Sequence, residues 1–140
     1  MIYVDTSVLV AYLLPETYSE QAERALQKPE HYPIALSAWT ETELHSALGI
    51  KCRTDQIDEV ARRLVLERFS TLRSHFLCVE VVDADYRVAS SLLGNWRTGL
   101  RAGDALHLAM TQRLACPLIS LDERLVHAGN QAGIQAICLR

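Results

Sequence analysis

No stretch of this sequence approaches the roughly eighteen apolar residues that a membrane-spanning helix needs, which argues against a helical membrane protein. Met1 to Leu14 is the one segment with a targeting-like look, but it has no basic start and no small-residue cleavage site, and Asp5 interrupts it. A soluble, cytoplasmic protein without a membrane partner is therefore expected. The four cysteines, Cys52, Cys78, Cys116 and Cys138, form no CxxC pair and have no histidine at zinc-ligand spacing. They read as small buried apolar residues in a reducing compartment. Gly-rich phosphate loops, GxSxG elbows and HExxH helices are also missing. Lysine is confined to Lys28 and Lys51, and Ser7 stands two residues after Asp5. A phosphorylated-aspartate receiver or phosphatase would want a well-placed lysine, and the phosphatase a second Asp at position 7, so neither is favoured. Net charge of −3 argues against a dedicated duplex-DNA binder, though not against a nucleic-acid enzyme whose site carboxylates pull the sum down.

What is present fits one ordinary domain spanning residues 1–140, with a hydrophobic fraction of 49% and no repeat or linker. Ile2 to Val4 reads as a strand entering a helix that Pro15 stops. Thr17 to Lys28 has helical spacing, Pro29 to Pro33 is a turn, and Ile34 to Leu36 is a second strand. Ser37 can cap a helix from Ala38 to about Ile50. A long amphipathic helix starts at Thr54 or Asp55 and ends at Arg73. Leu77 to Val82, rich in valine, predicts a buried third strand, followed by a helix from Asp83 to about Leu93. Gly94 to Gly103 is a loop, and Asp104 to Leu114 a largely apolar helix. Pro117 to Leu121 forms a strand, Asp122 to about Ala128 a short helix, and Gln135 to Leu139 a last strand. This alternation predicts an α/β fold, a parallel sheet with helices on both faces. Sites in such sheets gather beyond the carboxyl ends of the strands, where Asp5 and Asp122 lie.

Four acids stand out against their apolar surroundings: Asp5 in MIYVDTSVLV, Glu43 in ETELHSAL, Asp104 in GDALHLAM and Asp122 in LISLDERL. Three lie near helix starts, where aspartate is a favoured cap. Glu43 is mid-helix and cannot be one. At 3.6 residues per turn, Trp39, Glu43, Ala47 and Ile50 share a stripe, so Glu43 points inward and Glu41 points elsewhere, beside His45 and Leu48. Asp104 shares a face with Leu108 and Ala115, with Arg101 as a candidate ion-pair partner. Converging carboxylates repel one another unless a cation is present, and an all-oxygen set suits Mg²⁺ or Mn²⁺ better than zinc. Such an ion can activate water and orient a phosphodiester.

The hydroxyls of Thr6, Ser7 and Ser120 adjoin these acids; helix capping and support of metal-bound water or a phosphate oxygen are both open to them. Trp96, Arg97 and Arg101 combine a stacking surface with phosphate-binding charge, suited to unpaired RNA, in a loop that could equally be a solvated connector. Arg62, Arg63, Arg68 and Arg73 read as an ordinary exposed helix face. His45 and His107 read as helix-surface or packing residues.

The motifs VDTSVLVAYL, SAWTETELHSAL, RAGDALHLA and LISLDERL, in this order and spacing, resemble the PIN-domain ribonucleases, in particular the VapC-type toxins of toxin–antitoxin pairs. The resemblance covers nearly the whole chain. It implies a three-layer α/β/α fold with a central parallel sheet of four to five strands. It further implies a Mg²⁺- or Mn²⁺-dependent endoribonuclease cleaving single-stranded or loop RNA, with Asp5, Glu43, Asp104 and Asp122 as metal and catalytic positions. Thr6 or Ser7, with Ser120, would support them. A homodimer and a small inhibitory antitoxin are implied as well. Glu123, Arg124 and His127 follow Asp122, where some relatives carry a further acid or Asn, which leaves the metal count open. A catalytically silent module of the same fold, used only for binding, is the alternative; the presence of all four acids argues against it.

Overall fold

The structure is a computed structural model that describes residues 1–27 and 32–140. Lys28 and part of the expected Pro29 to Pro33 turn lie outside the described residues. Five strands, β1 (Ile2–Val4), β2 (Ile34–Ser37), β3 (Leu77–Val79), β4 (Leu118–Ser120) and β5 (Ala136–Cys138), form one parallel sheet in the order β3-β2-β1-β4-β5. The helices are α1 (Thr6–Leu13), α2 (Ser19–Leu26), α3 (Ala38–Arg53), α4 (Glu59–Arg73), α5 (Asp83–Leu93), α6 (Ala102–Leu114) and α7 (Glu123–Gln131). Among the described residues no helix is long and apolar enough to cross a membrane.

Strand side chains alternate between faces, and the two faces collect different helices. Tyr3, Ala35, Leu118 and Ala136 pack with residues of α5, α6 and α7. Val4, Ile34, Leu36 and Ile119 face the other way, toward α1, α2, α3 and α4. The result is the expected three-layer α/β/α arrangement. β1 is central, with Tyr3 opposite Ala35 on one side and Leu118 on the other. The chain leaves β1 toward β2 and leaves β4 toward β5, so the crevice between their carboxyl ends is the topological switch point. Asp5 follows β1 directly, and Asp122 lies two residues beyond β4.

Ser37 caps α3 through its Oγ, which accepts from Thr40 N–H at 3.3 Å, while Thr40 Oγ1 accepts from Ser37 N–H at 3.3 Å. Leu44 and Leu48 are fully buried, each worth roughly 2 kcal/mol. Their burial fixes the roll of α3 and thereby aims the neighbouring Glu43.

The third strand departs from expectation. It is an edge strand of three residues paired, among the described residues, only with β2, with Leu77 49% exposed and Cys78 exposed, and Glu80 to Val82 lie outside the sheet. Its valines pack beside the core against α5 and α6 rather than inside a continued strand. The reading of the cysteines as buried holds for Cys116 alone; Cys52 and Cys138 are half-buried, and all four are free thiols. Helix α4 begins at Glu59, capped by Asp58 Oδ1 on Ala61 N–H, because Thr54 to Asp58 turn with Asp55 at φ 55°. Helix α6 starts at Ala102, two residues early, and α7 runs on to Gln131.

An ion pair between a buried carboxylate and a solvent-reaching guanidinium ties α5 to α6. Arg113 donates from Nε to Asp85 Oδ1 at 2.8 Å and from Nη2 to Oδ2 at 2.9 Å and to the Glu80 carbonyl at 2.7 Å. Burial would raise the Asp85 carboxyl, but the Arg113 guanidinium and the Val82 N–H hold it below its ordinary value. Asp85→Ala should lower stability by about 2 kcal/mol in urea unfolding, since Asp85 is buried while Arg113 can partly rehydrate. A carboxyl depressed in the folded state stabilises above its unfolded pKa and loses that contribution as pH falls through the folded one. The difference between wild type and Asp85→Asn should thus be flat from roughly pH 7 to 5 and shrink in stronger acid.

Candidate functional site

The four sequence-selected acids line one cavity of about 320 Å³, together with Thr6, Ser7 and Arg101. Each carboxylate has one oxygen hydrogen-bonded by the protein; the His107 ring nitrogen also lies 3.5 Å from Asp5 Oδ1, and the Trp39 indole helps hold Glu43 ionised. Asp5 Oδ2 accepts from Ser7 N–H at 3.3 Å, from the Ser7 hydroxyl, and from Ser120 Oγ at 2.7 Å. Glu43 Oε2 accepts from Thr6 Oγ1 at 2.6 Å and from His107 Nε2 at 2.6 Å. Asp104 Oδ2 accepts from Arg101 N–H at 3.2 Å. Asp122 Oδ1 accepts from Arg124 N–H at 2.8 Å and Leu125 N–H at 3.2 Å, capping α7. Capping and inward presentation are therefore compatible: one oxygen closes a helix turn and its twin is left for a ligand. Glu41 pairs with Arg73 at 2.9 Å, outside the cavity lining. Arg101 reaches Asp104 through its backbone, and no guanidinium ion pair joins them among the described residues.

His107, read from sequence as a surface or packing residue, is the missed member of the site. It is 0% exposed and sits beneath the carboxylates, with Nε2 3.5 Å from Asp5 Oδ1 and Nδ1 3.1 Å from the Tyr3 hydroxyl. Ligand atoms of Asp5, Glu43 and His107 all lie within 4.8 Å of one another. The signal was available: His107 follows Asp104 by three residues and so shares its side of α6. His45, by contrast, is exposed.

The electrostatics follow from this packing. Desolvation raises the Asp104 carboxyl, and the charges of Asp5 and Asp122 raise it further against the Arg101 N–H. Desolvation works against charge on Glu43 and His107 too, yet their mutual hydrogen bond prevails, holding Glu43 below its ordinary value and His107 above it. Trp96 is 74% exposed with the Arg97 guanidinium 4.7 Å from its ring, while Arg101 borders the cavity itself.

A larger groove of about 970 Å³ adjoins the cavity and shares Thr6, Ser7, Ala47 and Asp122 with it. Val10, Leu14 and Ile57 supply apolar lining, Tyr18 adds an aromatic ring, and Lys51 and Arg140 pair with Glu16 and Glu123, so the groove carries charge of both signs.

The profile of the PIN domain family matches residues 2–131. The chain belongs to the PIN domain family. Ribonuclease VapC3 of Pyrobaculum aerophilum is 28% identical over 130 residues, covering 87% of this chain and 89% of that one. The fold is also that of FitAcB from Neisseria gonorrhoeae, at TM-score 0.71 and 20% identity over 99% of this chain and 98% of that one. VapC20 of Mycobacterium tuberculosis, a sarcin-ricin loop cleaving toxin, matches at TM-score 0.71 and 18% identity, covering 92% of this chain and 95% of that one. VapBC2 from Rickettsia felis, bound to a fragment of its promoter DNA, matches at TM-score 0.69 and 16% identity over 99% and 98%.

The residues of this PIN domain fit a divalent cation. Four carboxylates converge on one cavity, and desolvation together with the charges of Asp5 and Asp122 pushes Asp104 upward. Gly103 is part of that fit: a Cβ there would collide with Glu43 Oε1 and come within 3.2 Å of the Trp39 ring. Alanine would ordinarily favour a helix over glycine by about 1 kcal/mol. Gly103→Ala should nevertheless weaken Mn²⁺ binding about tenfold in calorimetry, with the circular dichroism spectrum unchanged, because it displaces Glu43.

Proposed function

We propose that this PIN domain is a metal-dependent endoribonuclease that hydrolyses single-stranded or loop RNA. The observation that carries this reading is the convergence of four half-engaged carboxylates at the switch point of the sheet. Asp5, Glu43, Asp104 and Asp122 would hold Mg²⁺ or Mn²⁺. That ion would supply an activated water and offset charge on the phosphodiester during in-line displacement.

The remaining residues act on the carboxylates and on the substrate. The hydroxyls of Thr6, Ser7 and Ser120 donate to Glu43 or Asp5 and so aim them. Helix capping and service to a water or phosphate were both open to them on sequence grounds. Trp96 offers a stacking face to an unpaired base, and Arg97 and Arg101 offer charge for phosphates. The adjoining groove gives a strand a path away from the acids. A duplex would present neither an open base nor a single flexible backbone, which favours unpaired RNA.

We infer the biological setting from similarity: a cytoplasmic toxin, working as a homodimer and restrained by a small antitoxin. The ribonuclease name of the Pyrobaculum relative and the toxin–antitoxin complexes among proteins of this fold support it.

RNA cleavage should require Mg²⁺ or Mn²⁺, stop with EDTA, and fall to background in Asp5→Asn. Metal-independent cleavage, or a fully active Asp5→Asn protein, would overturn the mechanism. Trp96→Ala should raise KM for a single-stranded substrate several-fold with kcat little changed, as loss of one stacked base worth roughly 1–3 kcal/mol requires. An unaltered KM would remove Trp96 from the substrate path.

A further inference from the structure

The tightest set of candidate ligand atoms is not the four acids but Asp5, Glu43 and His107, all within 4.8 Å of one another. Two edges of that triangle are 2.6 Å, from His107 Nε2 to Glu43 Oε2, and 3.5 Å, from Nε2 to Asp5 Oδ1. A buried imidazole pointing its ring nitrogen between two carboxylate oxygens is arranged as a ligand would be. The other ring nitrogen has the support that metal-bound histidines usually have. Nδ1 lies 3.1 Å from the Tyr3 hydroxyl, which in turn lies 2.8 Å from Ser37 Oγ and 3.2 Å from Thr40 Oγ1. Tyr3 can therefore accept from Nδ1–H while donating to one of these hydroxyls, leaving Nε2 to face the carboxylates. Tyr3, Ser37, Thr40 and His107 are all 0% exposed, so water does not compete for these bonds. Packing alone asks for no such polar chain; an apolar side chain at 107 would fill the space at lower desolvation cost.

We propose that His107 Nε2 is a ligand of the metal centre, making it a mixed nitrogen–oxygen site selective for Mn²⁺ over Mg²⁺. This rests on the metal-dependent reading above. Imidazole nitrogen suits first-row transition ions, whereas Mg²⁺ takes oxygen almost exclusively. Coordination by Nε2 would require release to solvent of the proton it shares with Glu43, whose Oε2 has a second donor in Thr6.

Electron spin-echo spectroscopy of Mn²⁺ bound to the full chain tests the ligand directly, without reference to activity. Wild type should show ¹⁴N modulation that changes when the histidines are ¹⁵N-labelled. The modulation should vanish in His107→Gln while Mn²⁺ still binds, and the Mn²⁺-to-Mg²⁺ affinity ratio should fall about tenfold. Mn²⁺ bound to wild type without nitrogen coupling would overturn the proposal and leave the carboxylate metal site standing. Coupling that persists in His107→Gln would overturn it as well, and no Mn²⁺ binding at all would overturn both readings. If circular dichroism shows His107→Gln unfolded, Tyr3→Phe serves in its place. Removing the hydroxyl behind Nδ1 should weaken Mn²⁺ about tenfold, and an unchanged affinity would overturn the assignment.

Discussion

Negative charge drawn into one cavity is the constraint on which the rest of this structure depends. Asp5, Glu43, Asp104 and Asp122 come from four separate parts of the chain, and their repulsion opposes the fold that brings them together. The chain answers by engaging one oxygen of each. Side-chain hydroxyls serve Asp5 and Glu43, and backbone N–H groups at helix starts serve Asp104 and Asp122. Helix N-termini favour negative charge, so α1, α6 and α7 also stabilise Asp5, Asp104 and Asp122, whereas Glu43 lies mid-helix. The engaged oxygen fixes the direction of its twin, and a set of locally ordinary caps becomes a directed array.

Parallel topology makes this arrangement economical. With β1 and β4 adjacent and their outgoing connections diverging, a crevice opens at their carboxyl ends without any loop having to be lengthened. Asp5 and Ser120 meet across it, joined at 2.7 Å, so the hydrogen bond that aims a carboxylate also links two strand ends. Beneath it the buried polar chain from Ser37 through Tyr3 to His107 connects the cap of α3 with the middle of α6. The site is thus braced by the same groups that position the helices around it.

Much of this was legible in the residues. Asp5 and Asp122 announce themselves because a carboxylate at a strand-to-helix junction interrupts an apolar run. Glu43 is separable from Glu41 because it shares a stripe with Trp39, Ala47 and Ile50, although the core face of α3 runs through Leu44 and Leu48, the latter placed on sequence grounds beside Glu41, and Ile50 is exposed. What escaped did so for physical reasons. His107 looks unremarkable in DALHLA because its partners, Glu43, Asp5 and Tyr3, are distant in sequence. Leu77 to Val79 has the composition of an interior strand, but composition does not say whether a second neighbour exists on its far side. Helix α6 starts before Asp104 because a backbone-to-carboxylate bond from Arg101 closes its first turn, and glycine at 103 hides that start from propensity.

Gly103 carries an implication for how such sequences diverge. Its missing side chain leaves the space that Glu43 Oε1 fills, so the two positions constrain each other although 60 residues separate them. Along a diverging lineage, a side chain at 103 would have to be met by a shift of the Glu43 carboxylate, the movable end of a flexible side chain, so the acid can be kept at the cost of re-aiming it.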